Sequence, residues 1–128
     1  MLAIYAANSS AGSYVNRIGK YLKQHLDGAY KIKFNSMECE VFFQMLFEIP
    51  ENRDSYGEVK FVISIVSYQN KLRINITELS EREKTVGQII LKDADLENMT
   101  DFEQIRFRIV KSINKYLEKE YPGYYLVF

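Results

Sequence analysis

The chain has 128 residues, 47% of them apolar and 14% aromatic, so it can bury a core and is not intrinsically disordered. Its 17 basic and 17 acidic residues balance, which removes bulk positive charge as an argument for binding nucleic acid or an anionic membrane. One cysteine excludes an internal disulfide, and no apolar run approaches the roughly 20 residues that cross a bilayer. These features predict one soluble domain over residues 1–128, in a reducing compartment such as the cytoplasm or the nucleus.

A first amphipathic helix is predicted to begin near Ser10 or Ser13, which are good N-caps, and to end at Asp27-Gly28. Its apolar stripe recurs every three or four residues and consists of Tyr14, Ile18, Tyr21, Leu22, His25 and Leu26. The position of His25 on this stripe predicts a partly buried packing residue. The pattern leaves open whether the first seven residues form a strand.

From Tyr30 onward, apolar residues alternate with polar ones, which is typical of β-strands. The alternation predicts five strands: Tyr30–Asn35, Cys39–Ile49, Val59–Ile65, Leu72–Thr77 and Thr85–Leu91. The polar stretch Pro50–Gly57 is predicted to be a loop. Because the connections are short, neighbouring strands should pair antiparallel.

The second helix has a clear start signal. Thr100-Asp101-Phe102-Glu103 matches a capping box, in which the Thr hydroxyl and the Glu carboxylate satisfy each other's backbone amides. The helix should run to about Glu120, because Pro122-Gly123 cannot continue it. Tyr124–Phe128 is predicted to add a last short strand.

The order of these elements predicts an α+β fold. We expect a two-layer sandwich, in which an antiparallel sheet of about five strands carries the N-terminal and the C-terminal amphipathic helix on one face.

The residues that carry catalysis or bind metals are scarce. One histidine and one cysteine cannot build a thiolate–imidazole zinc site within the chain. His25 lies on the apolar stripe, and Cys39 shares a strand face with Val41 and Phe43, where a cysteine acts as a small hydrophobic residue. The sequence therefore predicts a non-enzymatic protein without a cofactor, a metal or catalytic residues.

The second helix has more apolar surface than one contact needs. One stripe, assigned to the sheet, contains Phe102, Ile105, Ile109, Ile113 and Tyr116. A second stripe consists of Phe107, Val110 and Leu117. Either the first helix or the C-terminal segment covers this second stripe, or it is exposed for a partner.

The strand residues predicted to face the helices are Cys39, Val41, Phe43, Val59, Phe61, Ile63, Leu72 and Ile74. The opposite face of the sheet has the same excess of apolar residues. It should carry Phe42, Leu46, Val62, Val66 and Tyr68, more large apolar groups than a solvated face normally has.

Together, the two surfaces predict a non-catalytic adaptor or subunit of an intracellular complex, which binds another protein or a second copy of itself and no membrane. The alternative is a module for single-stranded RNA or DNA that uses Phe42, Tyr68, Lys60 and Arg73, since aromatic side chains beside cations can stack bases.

Overall fold

The computed structural model describes the backbone of residues 2–35, 37–49, 52–68, 71–79, 83–92 and 102–127, and the side chains of these ranges other than 2–13, 47–49, 52–56 and 68. Within them the elements follow in the order α1 Leu2–His25, β1 Ala29–Phe34, β2 Glu38–Ile49, β3 Asn52–Tyr68, β4 Lys71–Glu78, β5 Lys84–Lys92 and α2 Phe102–Glu120.

The described strands form one antiparallel sheet in the order β1-β2-β3-β4-β5. α1 packs on β1 to β4, α2 packs on β5, and the two helices also contact each other. Their buried residues belong to one continuous core with alternate residues of the strands, so both helices lie on the same face. The predicted α+β two-layer sandwich is confirmed.

The core lies between the helices and the sheet. Phe43 of β2 and Phe61 of β3 are opposite each other, fully buried and stacked at 4.9 Å between ring centroids. Burying a side chain of this size contributes about 1.5–3 kcal/mol. The residues predicted to face the helices are all buried: Cys39, Val41, Phe43, Val59, Phe61, Ile63, Leu72 and Ile74.

The sequence predicted the end of α1 correctly but not its start. The helix begins at Leu2, so the prediction that Ser10 or Ser13 caps it was wrong, and residues 2–7 are helical. Alanine and leucine, common in this stretch, are strong helix formers, which explains the longer helix. At the other end, Gly28 follows the helix with a φ of 88°, as the predicted left-handed C-cap requires.

α1 and α2 are joined by a polar contact at their surface. The Tyr21 hydroxyl donates a hydrogen bond to the Glu103 carboxylate. The Arg106 guanidinium donates to both oxygens of that carboxylate, at 3.1 and 3.0 Å, and these hydrogen bonds hold the pKa of Glu103 below its ordinary value. Thr100, the other half of the predicted capping box, lies outside the described residues.

The prediction of a loop over Pro50–Gly57 was wrong from Asn52 onward. β3 begins at Asn52, and the β2–β3 ladder continues through Phe47↔Gly57 and Glu48↔Tyr56. β1 pairs with β2 only up to Phe43, so the end of this hairpin projects beyond β1. β4 pairs with β3 only as far as Phe61, so this end of the hairpin is a two-stranded ribbon joined through its backbone, and polar side chains do not interrupt a backbone ladder.

The prediction of a last strand over Tyr124–Phe128 was also wrong for the described residues 124–127, which belong to no strand. Leu126 instead packs into the core and exchanges hydrogen bonds with the side chain of Asn114 on α2. A side-chain amide therefore satisfies the backbone groups that a neighbouring strand would have paired.

Candidate interaction surfaces

The outer sheet face carries the predicted apolar residues, but they differ in exposure. Leu46 is 63% exposed, whereas Phe42 and Val66 are half-buried and Val62 is only 9% exposed. Val62 lies on the central strand β3 with Phe42 and Thr77 opposite it on the neighbouring strands, which explains why it is shielded. It therefore adds little to a docking surface.

Tyr68, the fifth residue predicted for this face, pairs with Lys71 through its backbone, and its side chain lies outside the described residues.

The second stripe of α2 does not form an exposed surface. Val110 and Leu117 are fully buried, so the prediction that they bind a partner was wrong. The buried side of α2 is wider than one stripe, because the helix packs against the sheet, α1 and the C-terminal segment at once. Phe107 lies on the opposite side of the helix and is 46% exposed.

Four exposed apolar or aromatic residues, two of them in the C-terminal segment, line one depression of the surface. They are Tyr30, Leu46, Tyr125 and Val127, which we call the C-terminal apolar cluster. Their exposed fractions are 46%, 63%, 70% and 73%. All four line one open depression of about 510 Å³, which also borders the turn at Asp27-Gly28. A second, mostly apolar depression of about 680 Å³ lies beside α2 and again includes Tyr125 and Val127.

A basic groove of about 550 Å³ lies between α1 and the edge of the sheet at β1. Arg17, Lys20 and Lys23 contribute its charge, and its floor includes Ile32 and Phe34 of β1. The Lys20 ammonium lies 5.9 Å from the centroid of the Phe34 ring. Among the described side chains, none of the three cations forms an ion pair with a carboxylate.

Cations also line the other face of β1. The ammonium groups of Lys31 and Lys33 lie 5.7 and 5.6 Å from the centroid of the Phe42 ring, within cation–π range. Glu40 is opposite Lys33 on β2, and Glu38 and Glu40 line a small depression with it. β1 is thus an edge strand with positive charge on both faces and two carboxylates near one end.

The chemically reactive side chains are separated from one another. Cys39 is buried, and its burial, followed by the charges of Glu40 and Glu38, raises the pKa of its thiol to about 11. His25 is exposed and lies against the Tyr21 ring at 4.3 Å, so the prediction of a partly buried histidine was wrong. Within α1, the buried part of the apolar stripe therefore ends at Leu22.

Glu78 is the one buried carboxylate of the described core, and it accepts a hydrogen bond of 3.0 Å from the Tyr121 hydroxyl. Burial and then this carboxylate raise the pKa of Tyr121. Within the described ranges, no three His, Cys, Asp or Glu side chains lie close enough to hold a metal ion. No helix in that part of the chain has the length and apolar character needed to cross a membrane.

No protein-family model, curated protein or solved structure matches this chain. Its candidate sites therefore rest on the geometry of its own residues.

Sequence reasoning identified Leu46 but missed the rest of the C-terminal apolar cluster. Tyr125 and Val127 alternate with Leu126 near the end of the chain, and that alternation predicts that one side of the segment is buried and the other exposed. The positive charge on the outer face of β1 could also be predicted from the sequence, because Lys31 and Lys33 alternate with Ile32 and Phe34.

Proposed function

We propose that this chain is a non-catalytic protein-binding subunit of an intracellular complex, and that the C-terminal apolar cluster is its principal contact surface. The observation that carries the proposal is the exposure of Leu46, Tyr125 and Val127, each at least 63%, around one depression. Single exposed apolar residues are normal on a monomer, but a contiguous group with a polar rim is typical of a protein contact.

The composition of the cluster supports the same function. Tyrosine is enriched in protein interfaces, because it buries a large rigid ring while its hydroxyl keeps a polar contact. Tyr30 and Tyr125 both line the depression, with Asp27 and Gln44 at its border. A partner could bury the rings and Leu46 at the centre and exchange hydrogen bonds at the margin.

The test compares two charge-neutral variants. Leu46→Ser with Val127→Ser removes apolar surface from the cluster, and Ile90→Ser removes an equally typical exposed residue, 46% exposed, from β5 at the far edge of the sheet. Tagged proteins would be isolated from cells that express the chain, with nuclease present, and stoichiometric partners identified by mass spectrometry. We expect the cluster variant to lose a partner that the wild type and Ile90→Ser retain, with thermal unfolding unchanged. Equal recovery by all three would contradict the proposal.

Single-stranded nucleic acid is the second candidate, and the observation that favours it is the position of Lys31 and Lys33 beside the Phe42 ring. A base stacked on an aromatic ring with cations nearby is a common mode of single-strand binding. Lys60, also predicted for this role, has its ammonium 3.4 Å from the Glu58 carboxylate, which reduces the positive potential on that part of the face. Recovery of partners only without nuclease would favour this candidate.

A further inference from the structure

β1 has one side of its backbone without a strand partner. Among the described strands its only neighbour is β2, which it meets over Ala29–Phe34. The outward N–H and C=O groups of an edge strand are a ready template for another extended chain. A polypeptide backbone can fill this row of donors and acceptors, whereas a nucleic acid backbone cannot.

The two faces of β1 differ in character, and this difference specifies what an added strand should carry. On the outer face Lys31 and Lys33 are exposed, two residues apart. On the helix side, Ile32 and the 49% exposed Phe34 form an apolar floor beside Lys20. Since side chains of a strand alternate between faces, acidic residues at every second position would meet the lysines, and apolar residues between them would meet the floor.

We infer that the β1 edge binds an extended segment of another protein, in which acidic and apolar residues alternate, by adding it to the sheet as a sixth strand. The inference rests on the proposed protein-binding function and names the chemistry of the partner. Charge complementarity supports it, because Lys31 and Lys33 are exposed on the outer face of the edge and neither forms an ion pair with a described carboxylate. Glu38 and Glu40 lie near the Phe34 end of β1. Their carboxylates would repel acidic residues of the bound segment at that end, and they would also repel the phosphates of a nucleic acid.

The probe is a labelled peptide as long as β1 with alternating glutamate and valine, and binding to the full chain is measured by fluorescence anisotropy. We expect Lys31→Glu with Lys33→Glu to weaken binding about tenfold or more, since two charge pairs are replaced by repulsions. Lys111→Glu with Lys115→Glu on the exposed side of α2 makes the same change in net charge and should leave the affinity unchanged. Lys31→Gln with Lys33→Gln serves as a milder variant if the reversal unfolds the protein.

Two further peptides separate strand addition from simple charge attraction. A peptide with every backbone nitrogen methylated keeps its charges but has no backbone N–H to donate to the edge, so it should not bind. A peptide of the same composition, with glutamates and valines in separate blocks, should bind at least about tenfold more weakly. Equal binding of either one overturns the inference.

Other outcomes also count against it. A labelled single-stranded oligonucleotide that binds more tightly and displaces the peptide would assign the edge to nucleic acid. Lysines on edge strands also protect against aggregation. If the peptide does not bind, and Lys31→Ser with Lys33→Ser makes the chain self-associate, the lysines serve that protective role only. The Leu46→Ser, Val127→Ser variant should still bind the peptide, so failure of the edge and failure of the C-terminal apolar cluster are distinguishable.

Discussion

The side chain of Asn114 forms two hydrogen bonds with the backbone of Leu126, as a neighbouring β-strand would. Asn114 Nδ2 donates a hydrogen bond to the Leu126 carbonyl oxygen at 3.0 Å, and the Leu126 N–H donates to Asn114 Oδ1 at 2.7 Å. Leu126 itself is 6% exposed and belongs to the core. This pair fixes the segment that carries Tyr125 and Val127, so the C-terminal apolar cluster depends on it.

Replacing Asn114 with alanine should loosen this segment. Two partly buried hydrogen bonds are lost, and we expect the free energy of unfolding to fall by about 2 kcal/mol. Urea denaturation measures that change. Lys115→Ala, an exposed neighbour on the same helix, is the control and should change it by no more than about 0.5 kcal/mol. Faster digestion by carboxypeptidase should accompany the Asn114 change, and equal rates for both variants would show that Asn114 does not hold the segment.

Gly19 allows α1 to lie close to β2. A Cβ atom at this position would be 2.2 Å from Cys39 Sγ and 3.2 Å from Ile32 Cδ1. Alanine favours a helix over glycine by about 1 kcal/mol, but this overlap is with a fully buried side chain and outweighs the gain. We therefore expect Gly19→Ala to destabilise the protein by about 1–3 kcal/mol.

A double-mutant cycle with Cys39→Ala tests the cause. Without Sγ, the atoms nearest to the added Cβ would be Ile32 Cδ1 at 3.2 Å, the end of a flexible side chain that can shift by a small distance, and the Cβ of residue 39 at 3.4 Å, an ordinary contact. Gly19→Ala should then be neutral or stabilising in the Cys39→Ala background, which gives a coupling energy of at least about 1 kcal/mol between the two positions. If the effects of the two substitutions on the free energy of unfolding simply add, the destabilisation by Gly19→Ala does not come from contact with Cys39 Sγ.

The sequence predicted the sheet well because fully buried residues recur at every second position along most of its strands. Val41, Phe43 and Ile63 face the core as expected, and β5 was found where Thr85–Leu91 predicted it. The start of α1 could not be found in the same way. Asn8–Ser13 contains good capping and turn residues, but such local preferences are weaker than the favourable continuation of an existing helix.

The candidate site was harder to predict than the fold, because exposure depends on which other segments cover a residue. Val110 and Leu117 match an exposed stripe by spacing alone, yet they pack into the core. The residues that bury them belong to segments distant in sequence, so the spacing of apolar residues within α2 cannot predict this burial. Leu46 was placed correctly because it lies on the outer face of β2, where the sheet has no second layer of described helices.

The two sides of α2 should respond in opposite ways to the same substitution. Phe107→Glu replaces a 46% exposed side chain, so we expect the free energy of unfolding to change by no more than about 0.5 kcal/mol. Leu117→Glu would place an unpaired carboxylate in the core and should prevent folding, at a cost above about 4 kcal/mol. Circular dichroism and thermal unfolding measure both. A protein unfolded by Phe107→Glu would mean that the far side of α2 is packed as well.

Cys39 should make the fold less stable at alkaline pH. Its pKa is raised from the ordinary 9.0 to about 11, first by burial and then by Glu40 and Glu38. Between these two pH values the unfolded chain has released the thiol proton and the folded chain has kept it, so raising the pH favours unfolding. The difference between the two pKa values corresponds to a loss of about 2–3 kcal/mol by the time the pH passes 11.

Cys39→Ala isolates this contribution from that of Tyr121, whose raised pKa acts in the same direction in both proteins. The variant starts from a lower stability because a buried side chain has been shortened, so the comparison concerns the change with pH and not the absolute value. Urea denaturation at about pH 8 and about pH 11 should show a smaller decline for Cys39→Ala than for the wild type. Parallel declines would mean that the thiol ionises as readily in the folded protein as in the unfolded chain, and therefore that it is not sealed beneath α1.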